Sequence, residues 1–360
     1  MVGMILVVSP GSWAHRLPML NHAAWHGYTL ADLVFPAFLF AVGVAIALSF
    51  PSTRALGPSA SRIGRRALSL FALGLFLNLL PLFDLSSVRI SGVLQRIALC
   101  YGLAAMFVLI SARVVGEARH LDAKRIFIAT VVLLVAWLCV LKFTSAPGFP
   151  TGDLSQAGTL AAWLDRQIIT PSHMWPYGTD ATGAVVFEPE GILSTLPATA
   201  SVLIGTICGH WLGRAPSTRR LQLGLVAGFV LVLTGHLMSP LVLINKWIWT
   251  SSFALLSSGW ALLAYCALHF VLQVRAGQAA VKPVLILGGN AILAFVLCEL
   301  FGKASGAPIS GTTAQNFGFQ TLQSMVGNPW IASFLCAVGI LGLITAILWP
   351  LQRRGIHIRL

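Results

Sequence analysis

Long apolar stretches with few charges are the strongest constraint on how this chain of 360 residues folds. The hydrocarbon core of a bilayer is about 30 Å thick and takes about 20 apolar residues in a helix, because backbone groups cannot stay unpaired in lipid. Nine stretches meet that length, at residues 30–50, 66–83, 92–113, 126–146, 191–213, 221–237, 247–272, 283–302 and 330–350. Residues 1–8 are apolar but too short to cross, and Pro10 and Gly11 follow them.

These stretches predict an all-α fold, a polytopic membrane bundle of about ten transmembrane segments. Residues 1–8 are typical of the outer half of a helix, so we expect the first segment to be truncated and the true start to lie upstream. We expect residues 1–360 to form a single domain with one long loop at 147–190. Only 9% of residues are charged, 57% are hydrophobic and the mean hydropathy is +0.85. This composition excludes an ordinary soluble enzyme.

The net charge of +13 is explained by where the basic residues lie. Most fall in loops after the even-numbered crossings: Arg54, Arg62, Arg65, Arg66, Arg113, Arg119, Lys124, Arg125, Arg214, Arg219, Arg220, Arg275, Lys282, Arg353, Arg354 and Arg359. Because Lys and Arg are retained on the cytoplasmic side, both termini are predicted to be cytoplasmic and no nucleic-acid partner is needed. The six cysteines lie inside apolar stretches, so they predict neither a disulfide framework nor a clustered zinc site, and we expect no metal cofactor.

Two groups of polar residues are predicted on the opposite, outer face. The long loop at 147–190 contains five acidic residues and the single base Arg166. It is either a functional loop or an interfacial flap with aromatic anchors, and both interpretations remain open. The second group, before the second segment, is Asn21, His22, Trp25, His26 and Asp32. A helical turn there would place His22 and His26 on one face, where catalysis, metal binding and plain interfacial packing all remain open.

Other polar residues recur within or beside the apolar segments, where an unpaired polar group costs several kcal/mol. They include Asn78, Gln95, Arg96, Glu190, Asn245, Lys246, Asn290 and Glu299. Arg96 either extends to the interface or pairs with Asp32 or Glu299, and the sequence does not choose between these. Asn290, within the run GGNA, is suited equally to a hydrogen bond between helices and to ligand binding.

Five segments, in order, resemble the transmembrane heparan-α-glucosaminide N-acetyltransferase family. They are NHAAWHGYTLADLVFP at 21–36, GVLQRI at 92–97, EPEGILST at 188–195, NKWIWTSS at 245–252 and GNAILA at 289–294. The resemblance covers nearly the whole chain and includes a bacterial branch of predicted acyltransferases and N-acetylglucosamine-related membrane proteins. Three departures stand out: Val8 and Ser9 replace asparagines common in relatives, His26 replaces a different polar residue of the animal enzyme, and Glu188 replaces an aspartate.

The resemblance implies transfer of an acetyl group from cytoplasmic acetyl-CoA to a glucosamine amine or envelope glycan on the periplasmic side of a bacterial inner membrane. It also implies that His22 is the active-site histidine, and that the protein forms a homodimer. An imidazole is a suitable base near neutral pH, so His22 would deprotonate the acceptor or carry the acetyl group itself. Asp32 would fix its tautomer. Asn21, Trp25, Gln95 or Asn290 would stabilise the oxyanion.

We expect the remaining site residues to bind the two substrates. The phosphates of coenzyme A are assigned to Arg62, Arg65 and Arg66, with Arg54 nearby, and Asn290 is a further cofactor-binding residue. The acceptor is assigned to Trp25, His26, Gln95, Arg96, Glu188, Glu190, Asn245 and Lys246. The main alternative is a transporter of N-acetylglucosamine or a related sugar that uses the same polar groups without chemistry. A membrane scaffold leaves the outer histidines unexplained.

Overall fold

The computed structural model describes residues 1–50, 56–309 and 312–358, so Arg54 and Arg359 lie outside the described residues, as does the side chain of Arg275. The described chain is mainly helical. Its α-helices are α1 (Val2–Val8), α2 (Leu30–Leu48), α3 (Gly57–Leu79), α4 (Val93–Ser111), α5 (Ala123–Phe143), α6 (Leu160–Ile168), α7 (Thr195–Leu212), α8 (Thr218–Leu237), α9 (Ser251–Leu272), α10 (Arg275–Ala280), α11 (Lys282–Gly289), α12 (Ala291–Gly306), α13 (Ala314–Val326) and α14 (Pro329–Arg353). The strands are β1 (Arg113–Val115), paired with β2 (Ala118–His120), and β3 (Pro308–Ile309), paired with β4 (Thr312–Thr313).

Within the described ranges, six helices are long and apolar enough to cross a membrane, namely α2, α4, α5, α8, α9 and α14. The prediction of an all-α, multi-pass membrane protein is therefore confirmed, whereas a count of about ten segments is not reached on these criteria. Two predicted crossings form helices outside this set. Helix α3 contains Arg62, Arg65 and Arg66 in its first half, and α7 contains several Thr and Ser residues, which lower the mean hydropathy of each.

The stretch 283–302, predicted as one crossing, is bent by 88° between α11 and α12. The bend lies at Asn290, directly after Gly288 and Gly289. Two glycines weaken the helix, and the Asn290 side chain binds the C-terminal tail: Nδ2 donates to Ile356 O at 3.2 Å and Oδ1 accepts from Ile358 N at 2.8 Å. The segment is a broken span or a re-entrant loop, not a straight helix.

Packing divides the chain into two compact units. One consists of residues 1–24, 28–34 and 270–360, and the other of residues 25–27 and 35–269. We call them the terminal unit and the central unit. In the terminal unit, α1, α11, α12 and α13 each pack against α14. No observation tests the predicted single domain directly, and it stays a prediction.

Helix α7 is the core of the central unit. Most of its residues are buried, and it packs against α4, α5 and α8. Glycines let α2 approach it closely: a Cβ on Gly205 would lie 2.1 Å from Phe40 O, and one on Gly43 would lie 1.9 Å from Val202 O. Small residues at such crossings are typical of membrane helices, which associate through close van der Waals packing.

The loop at 147–190 belongs to the central unit and is packed against its helices. It contains α6, whose N-cap Thr159 accepts a hydrogen bond from Ala162 N. Arg166 ties the loop together, because its guanidinium donates to Val186 O at 2.7 Å and to Ala157 O at 3.0 Å. Loop residues Ala162 and Phe187 are buried in a cluster with Trp137 of α5. The loop therefore has a specific structure that can hold side chains in place.

The α2–α7 contact gives a stability prediction. Gly205→Ala should lower the free energy of unfolding by about 1–3 kcal/mol or more, because the new methyl meets backbone atoms that cannot move aside. The measurement is the apparent Tm of detergent-solubilised protein. Gly64→Ala, in α3, is the control, since nothing lies within 4 Å of its added Cβ. Equal Tm values for the two variants would contradict the prediction.

Candidate functional site

His22 lies in an irregular segment between a short 3₁₀ turn, Pro18–Leu20, and the start of α2. Residues 21–27 do not form a helical turn, so the condition under which His22 and His26 would share a helix face is not met. The cause lies at Gly27, which has φ of +90° and forms a parallel bridge with Asn245. Its N–H donates to Ile244 O at 2.7 Å, which extends the chain there.

Asp32, in the first turn of α2, is bonded to His22. The distance from Asp32 Oδ1 to His22 Nδ1 is 2.7 Å, and the Asp32 carboxylate is fully buried. Its Oδ2 accepts hydrogen bonds from Ala23 N at 3.0 Å, from Thr29 N at 2.9 Å and from Thr29 Oγ1 at 3.2 Å. A carboxylate with several donors at a helix N-terminus is stabilised in its ionised form.

This pair sets the chemistry available to His22. Because Asp32 is an acceptor, the Nδ1 facing it carries the hydrogen, which leaves the lone pair on Nε2. The His22 side chain is 29% exposed. An imidazole held in one tautomer by a buried carboxylate is suited to accept a proton at Nε2. Sequence reasoning had assigned this arrangement to His22 and Asp32 only through the family resemblance.

Asn21 contacts Arg16, which the sequence analysis did not single out. Arg16 Nε donates to Asn21 Oδ1, and Asn21 Nδ2 donates back to Arg16 O at 3.3 Å. The backbone oxygen of Asn21 accepts from Thr29 Oγ1 at 2.5 Å. The Asn21 amide is thus engaged in the loop, which argues against the oxyanion role assigned to it. A basic residue on the predicted outer face, where bases are scarce, was the available signal for Arg16.

Acidic residues of the central unit surround a second arginine that sequence reasoning missed, Arg89. Glu188 is 1% exposed. Its Oε2 accepts from Arg89 Nε at 3.1 Å and from Trp175 N at 2.8 Å, while Oε1 accepts from Arg89 and from Glu190 N. Glu190 Oε2 lies 2.6 Å from Arg89 Nη2. Glu188 therefore faces Arg89 rather than solvent.

Burial and the neighbouring charges shift the pKa values of Glu188, Glu190 and Arg89. Burial alone would raise the pKa of Glu190, but the positive charges of Arg89, Arg96 and Lys246 bring it below its ordinary value. For Glu188, burial outweighs its bonds to Arg89, so its pKa is raised. Burial opposes the charged form of Arg89, yet the two carboxylates outweigh it and raise the pKa of Arg89. Such perturbed, coupled groups are typical of functional sites and of structural ion-pair networks alike.

Gln95 and Arg96 lie in the first turn of α4, and both are buried. Arg96 Nη2 donates to Gly191 O at 3.1 Å and to Ser194 Oγ, and its guanidinium lies 5.6 Å from the centre of the Trp249 ring. The partners of Arg96 are thus a carbonyl, a hydroxyl and an aromatic face rather than a carboxylate. Among the described residues, Arg96 Nε and Gln95 Nε2 are buried donors without a hydrogen-bond partner. Such donors are suited to a bound water or to an acceptor atom of a ligand.

The other residues assigned to the acceptor lie around Asn245. Its Nδ2 is 3.5 Å from His26 Nδ1, and burial lowers the pKa of His26. Lys246 lies 5.1 Å from the centre of the Trp247 ring, which stacks on Trp175 at 5.5 Å. The Trp25 indole N–H donates to Leu154 O at 2.8 Å. This bond argues against an oxyanion role for Trp25 and indicates that it anchors the long loop.

The residues assigned to coenzyme A lie in separate places. Arg62, Arg65 and Arg66 are exposed in the first half of α3. Arg66 lies 5.1 Å from the ring centre of Tyr101. Asn290 is fully buried, and its amide is bonded to the C-terminal tail. That bonding supports the structural alternative weighed for Asn290 over its cofactor role.

Asp165, in α6, is a buried carboxyl that sequence reasoning missed. Its Oδ1 accepts from Ile192 N at 2.8 Å, and its Oδ2 lies where a Cβ on residue 191 would stand, so Gly191 is required there. Burial raises the pKa of Asp165 to about 7, and the negative charge of Glu188 adds to the shift. Asp165 therefore changes charge close to neutral pH, at the base of the long loop.

This shift predicts a pH-dependent stability. A carboxyl whose folded pKa exceeds its unfolded value binds more protons when folded, so stability falls as pH rises from about 4 to about 7. Asp165→Asn removes that loss. Between about pH 5 and about pH 8, the apparent Tm of the wild type should therefore fall more than that of the variant.

Asp180→Asn provides the control. Hydrogen bonds from Thr182 hold the pKa of the exposed Asp180 below its ordinary value, so its charge does not change in this interval. Parallel Tm curves for the wild type and Asp165→Asn would contradict the assignment of a neutral-range pKa to Asp165.

Comparison with known proteins places these residues in context. No family model matches the chain. The chain is 27% identical over 346 residues to the heparan-α-glucosaminide N-acetyltransferase of Homo sapiens, an alignment that covers 83% of this chain and 51% of the human protein. It is 25% identical over 337 residues to the Mus musculus protein of the same name, covering 82% of this chain and 51% of that protein. The chain thus spans about half the length of the curated relatives it matches.

Proposed function

We propose, from the similarity of this chain to the heparan-α-glucosaminide N-acetyltransferases of Homo sapiens and Mus musculus, that it is a family member and a membrane-bound acyltransferase that moves an acetyl group from acetyl-CoA to an amino sugar or envelope glycan. The observation that carries the proposal is the pairing of His22 Nδ1 with the buried Asp32 carboxylate at 2.7 Å. This pair supplies what the reaction needs, a base held in one tautomer near neutral pH. The amino-sugar acceptor is proposed because the relatives are named as acetyltransferases of a glucosaminide.

The chemistry assigned to His22 is proton removal. Its Nε2 takes a proton from the acceptor's ammonium group, and the amine nitrogen then attacks the thioester carbonyl carbon. The carbon–sulfur bond breaks, the nitrogen that has become the amide loses its extra proton, and the departing coenzyme A thiolate takes up that proton. In the second route, Nε2 attacks the thioester and expels the coenzyme A thiolate. The amine then attacks the acetyl-imidazole, the carbon–Nε2 bond breaks, and the amine proton passes to the released imidazole. Asp32 stabilises the positive charge that develops on the imidazole in either route.

The substrates are assigned to opposite sides of the membrane. Coenzyme A carries phosphates, and the exposed Arg62, Arg65 and Arg66 are suited to bind them from the cytoplasm. We assign the acceptor to His26, Asn245, Lys246 and Glu190 on the periplasmic side. Glu188 has a different role in this proposal, because it is enclosed and holds Arg89 in place. Gln95 and Arg96 contribute their unpartnered buried donors to the acceptor site.

The finer arrangement remains part of the proposal. We place the protein in a bacterial inner membrane, with about ten crossings and both termini cytoplasmic, on the basis of the charge distribution along the chain. The bacterial acyltransferase branch of the family and a homodimer are likewise proposed from the sequence resemblance alone.

One observation favours the alternative, a transporter of N-acetylglucosamine or a related sugar. The segment α11–α12 is bent by 88° within the apolar region, and interrupted helices are common at the substrate sites of transporters. Transport consumes no acyl donor, whereas acetyl transfer releases free coenzyme A thiol. Purified protein supplied with labelled acetyl-CoA and glucosamine distinguishes the two: labelled N-acetylglucosamine indicates transfer, and uptake into vesicles without acetyl-CoA indicates transport.

Removal of the imidazole tests the proposed base. His22→Ala should lower kcat/KM for acetyl transfer by about 10²–10⁴, the range of general base catalysis. Thiol release from acetyl-CoA in the presence of glucosamine is the measurement. His236→Ala is the matched control, because this exposed histidine of α8 bonds to Val232 O at 2.9 Å within its own helix and has no role in the proposed chemistry. Equal losses in both variants would contradict the assignment.

Asp32→Asn tests the tautomer. The amide cannot accept from Nδ1 with the strength of a carboxylate, so the proton shifts toward Nε2, and kcat should fall about a hundredfold or more.

The same proteins distinguish the two routes. Each is mixed with acetyl-CoA in the absence of glucosamine, the reaction is quenched rapidly, and the protein is examined by mass spectrometry. An acetyl adduct on His22 in the wild type supports the two-step route, and its absence supports direct transfer.

A further inference from the structure

Arg16 lies in the terminal unit in the segment that leads to His22, six residues further along the chain. Its guanidinium and the side chain of Asn21 form a reciprocal pair: Nε donates to Asn21 Oδ1, and Asn21 Nδ2 donates to Arg16 O. The pair closes the chain over the 3₁₀ turn Pro18–Leu20. Because residue 21 directly precedes His22, the position of the His22 backbone depends on this closure.

A second set of bonds continues from Asn21 to the carboxylate. Thr29 Oγ1 lies 2.5 Å from the backbone oxygen of Asn21 and 3.2 Å from Asp32 Oδ2, and Thr29 N donates to the same Oδ2 at 2.9 Å. The network therefore runs without a gap from Arg16 through Asn21 and Thr29 to Asp32, and from Asp32 to His22. A displacement of Asn21 would be felt at both members of the His22–Asp32 pair.

Arg16 is itself fixed at several points. Nη1 donates to Val7 O, in the last turn of α1, at 3.3 Å, and the guanidinium lies 5.2 Å from the centre of the Trp13 ring. Burial lowers the pKa of Arg16, while the negative charge of Asp32 opposes that shift. Arginine remains cationic under such conditions. Its planar fork can donate in two directions at once, which the single ammonium of lysine does not reproduce.

We propose that Arg16 is a positioning residue for the reaction, which holds the His22–Asp32 pair in its reactive geometry through Asn21 and Thr29. This role rests on the proposed function for its kinetic consequence, but its structural consequence does not depend on it. Without the Arg16–Asn21 closure, His22 samples orientations in which Nδ1 no longer faces Asp32. Fewer molecules then present Nε2 as the base, so kcat falls while the affinity for each substrate is retained.

The kinetic test compares Arg16→Lys, Arg16→Gln and Asn21→Ala with the wild type. In each variant kcat should fall about tenfold or more, with KM for acetyl-CoA and for glucosamine unchanged within about twofold. The double variant Arg16→Lys/Asn21→Ala should lose no more than either single variant, because both changes break the same link. Arg214→Lys, at an exposed arginine that donates to Leu48 O at 3.0 Å, is the matched control and should retain the wild-type kcat.

An NMR measurement of the His22 tautomer tests the same proposal without relying on enzymatic activity. In protein labelled with ¹⁵N-histidine, the His22 signals are assigned by their loss in His22→Ala, and their shifts report the tautomer. The wild type should have Nδ1 protonated, and Arg16→Lys should move the population toward that of Asp32→Asn, with an apparent Tm close to that of the wild type. Wild-type tautomer in Arg16→Lys, additive losses in the double variant, or a loss explained entirely by a lower Tm would each overturn the proposal. If the wild type transfers no acetyl group, the proposed function fails, and the tautomer measurement still decides the role of Arg16.

Discussion

The arrangement around His22 depends on the buried carboxylate of Asp32. Burying an unpaired charge costs far more than a single hydrogen bond returns, so a carboxylate in this position must gather donors. It does so from His22, from the backbone of Ala23 and from both donors of Thr29. The segment between residues 22 and 32 has to fold back on the first turn of α2 to supply them. The position of the imidazole is thus a consequence of the need to satisfy one acid.

Buried carboxylates of the central unit must also be paired, and there the main partner is an arginine. Glu188 and Glu190 share Arg89, and Glu188 also accepts from the backbone of Trp175. Gly191 follows at once, and its lack of a side chain admits the carboxyl of Asp165. A motif that reads as a substrate-binding acidic pair is therefore largely an internal network that joins the long loop to the start of α7. Its unpartnered donors, on Gln95 and Arg96, are where a ligand would still find hydrogen bonds.

Sequence reasoning succeeded where the physical signal was local. Apolar stretches of sufficient length predicted the helices, because transfer of a segment into lipid depends on its own composition. Sequence reasoning failed where contacts with residues distant in the sequence set the local conformation. The stretch 283–302 has the composition of a crossing but is bent at Asn290, whose amide binds the C-terminal tail. The turn at residues 21–27 has helical histidine spacing, yet Gly27 pairs with Asn245, far away in the sequence.

The apolar segments and the general class of a helical membrane protein follow from composition alone, and the ordered motifs supply a family resemblance that singles out His22 for testing. The partner of each charged side chain depends instead on the fold, which brings Arg16 to Asn21, Arg89 to Glu188, and Asp165 to the backbone of Ile192. The physical reason is the range of the forces involved. Hydrophobic transfer is a property of each segment, whereas a hydrogen bond or ion pair requires two groups within a few ångströms, and the fold alone brings distant residues that close.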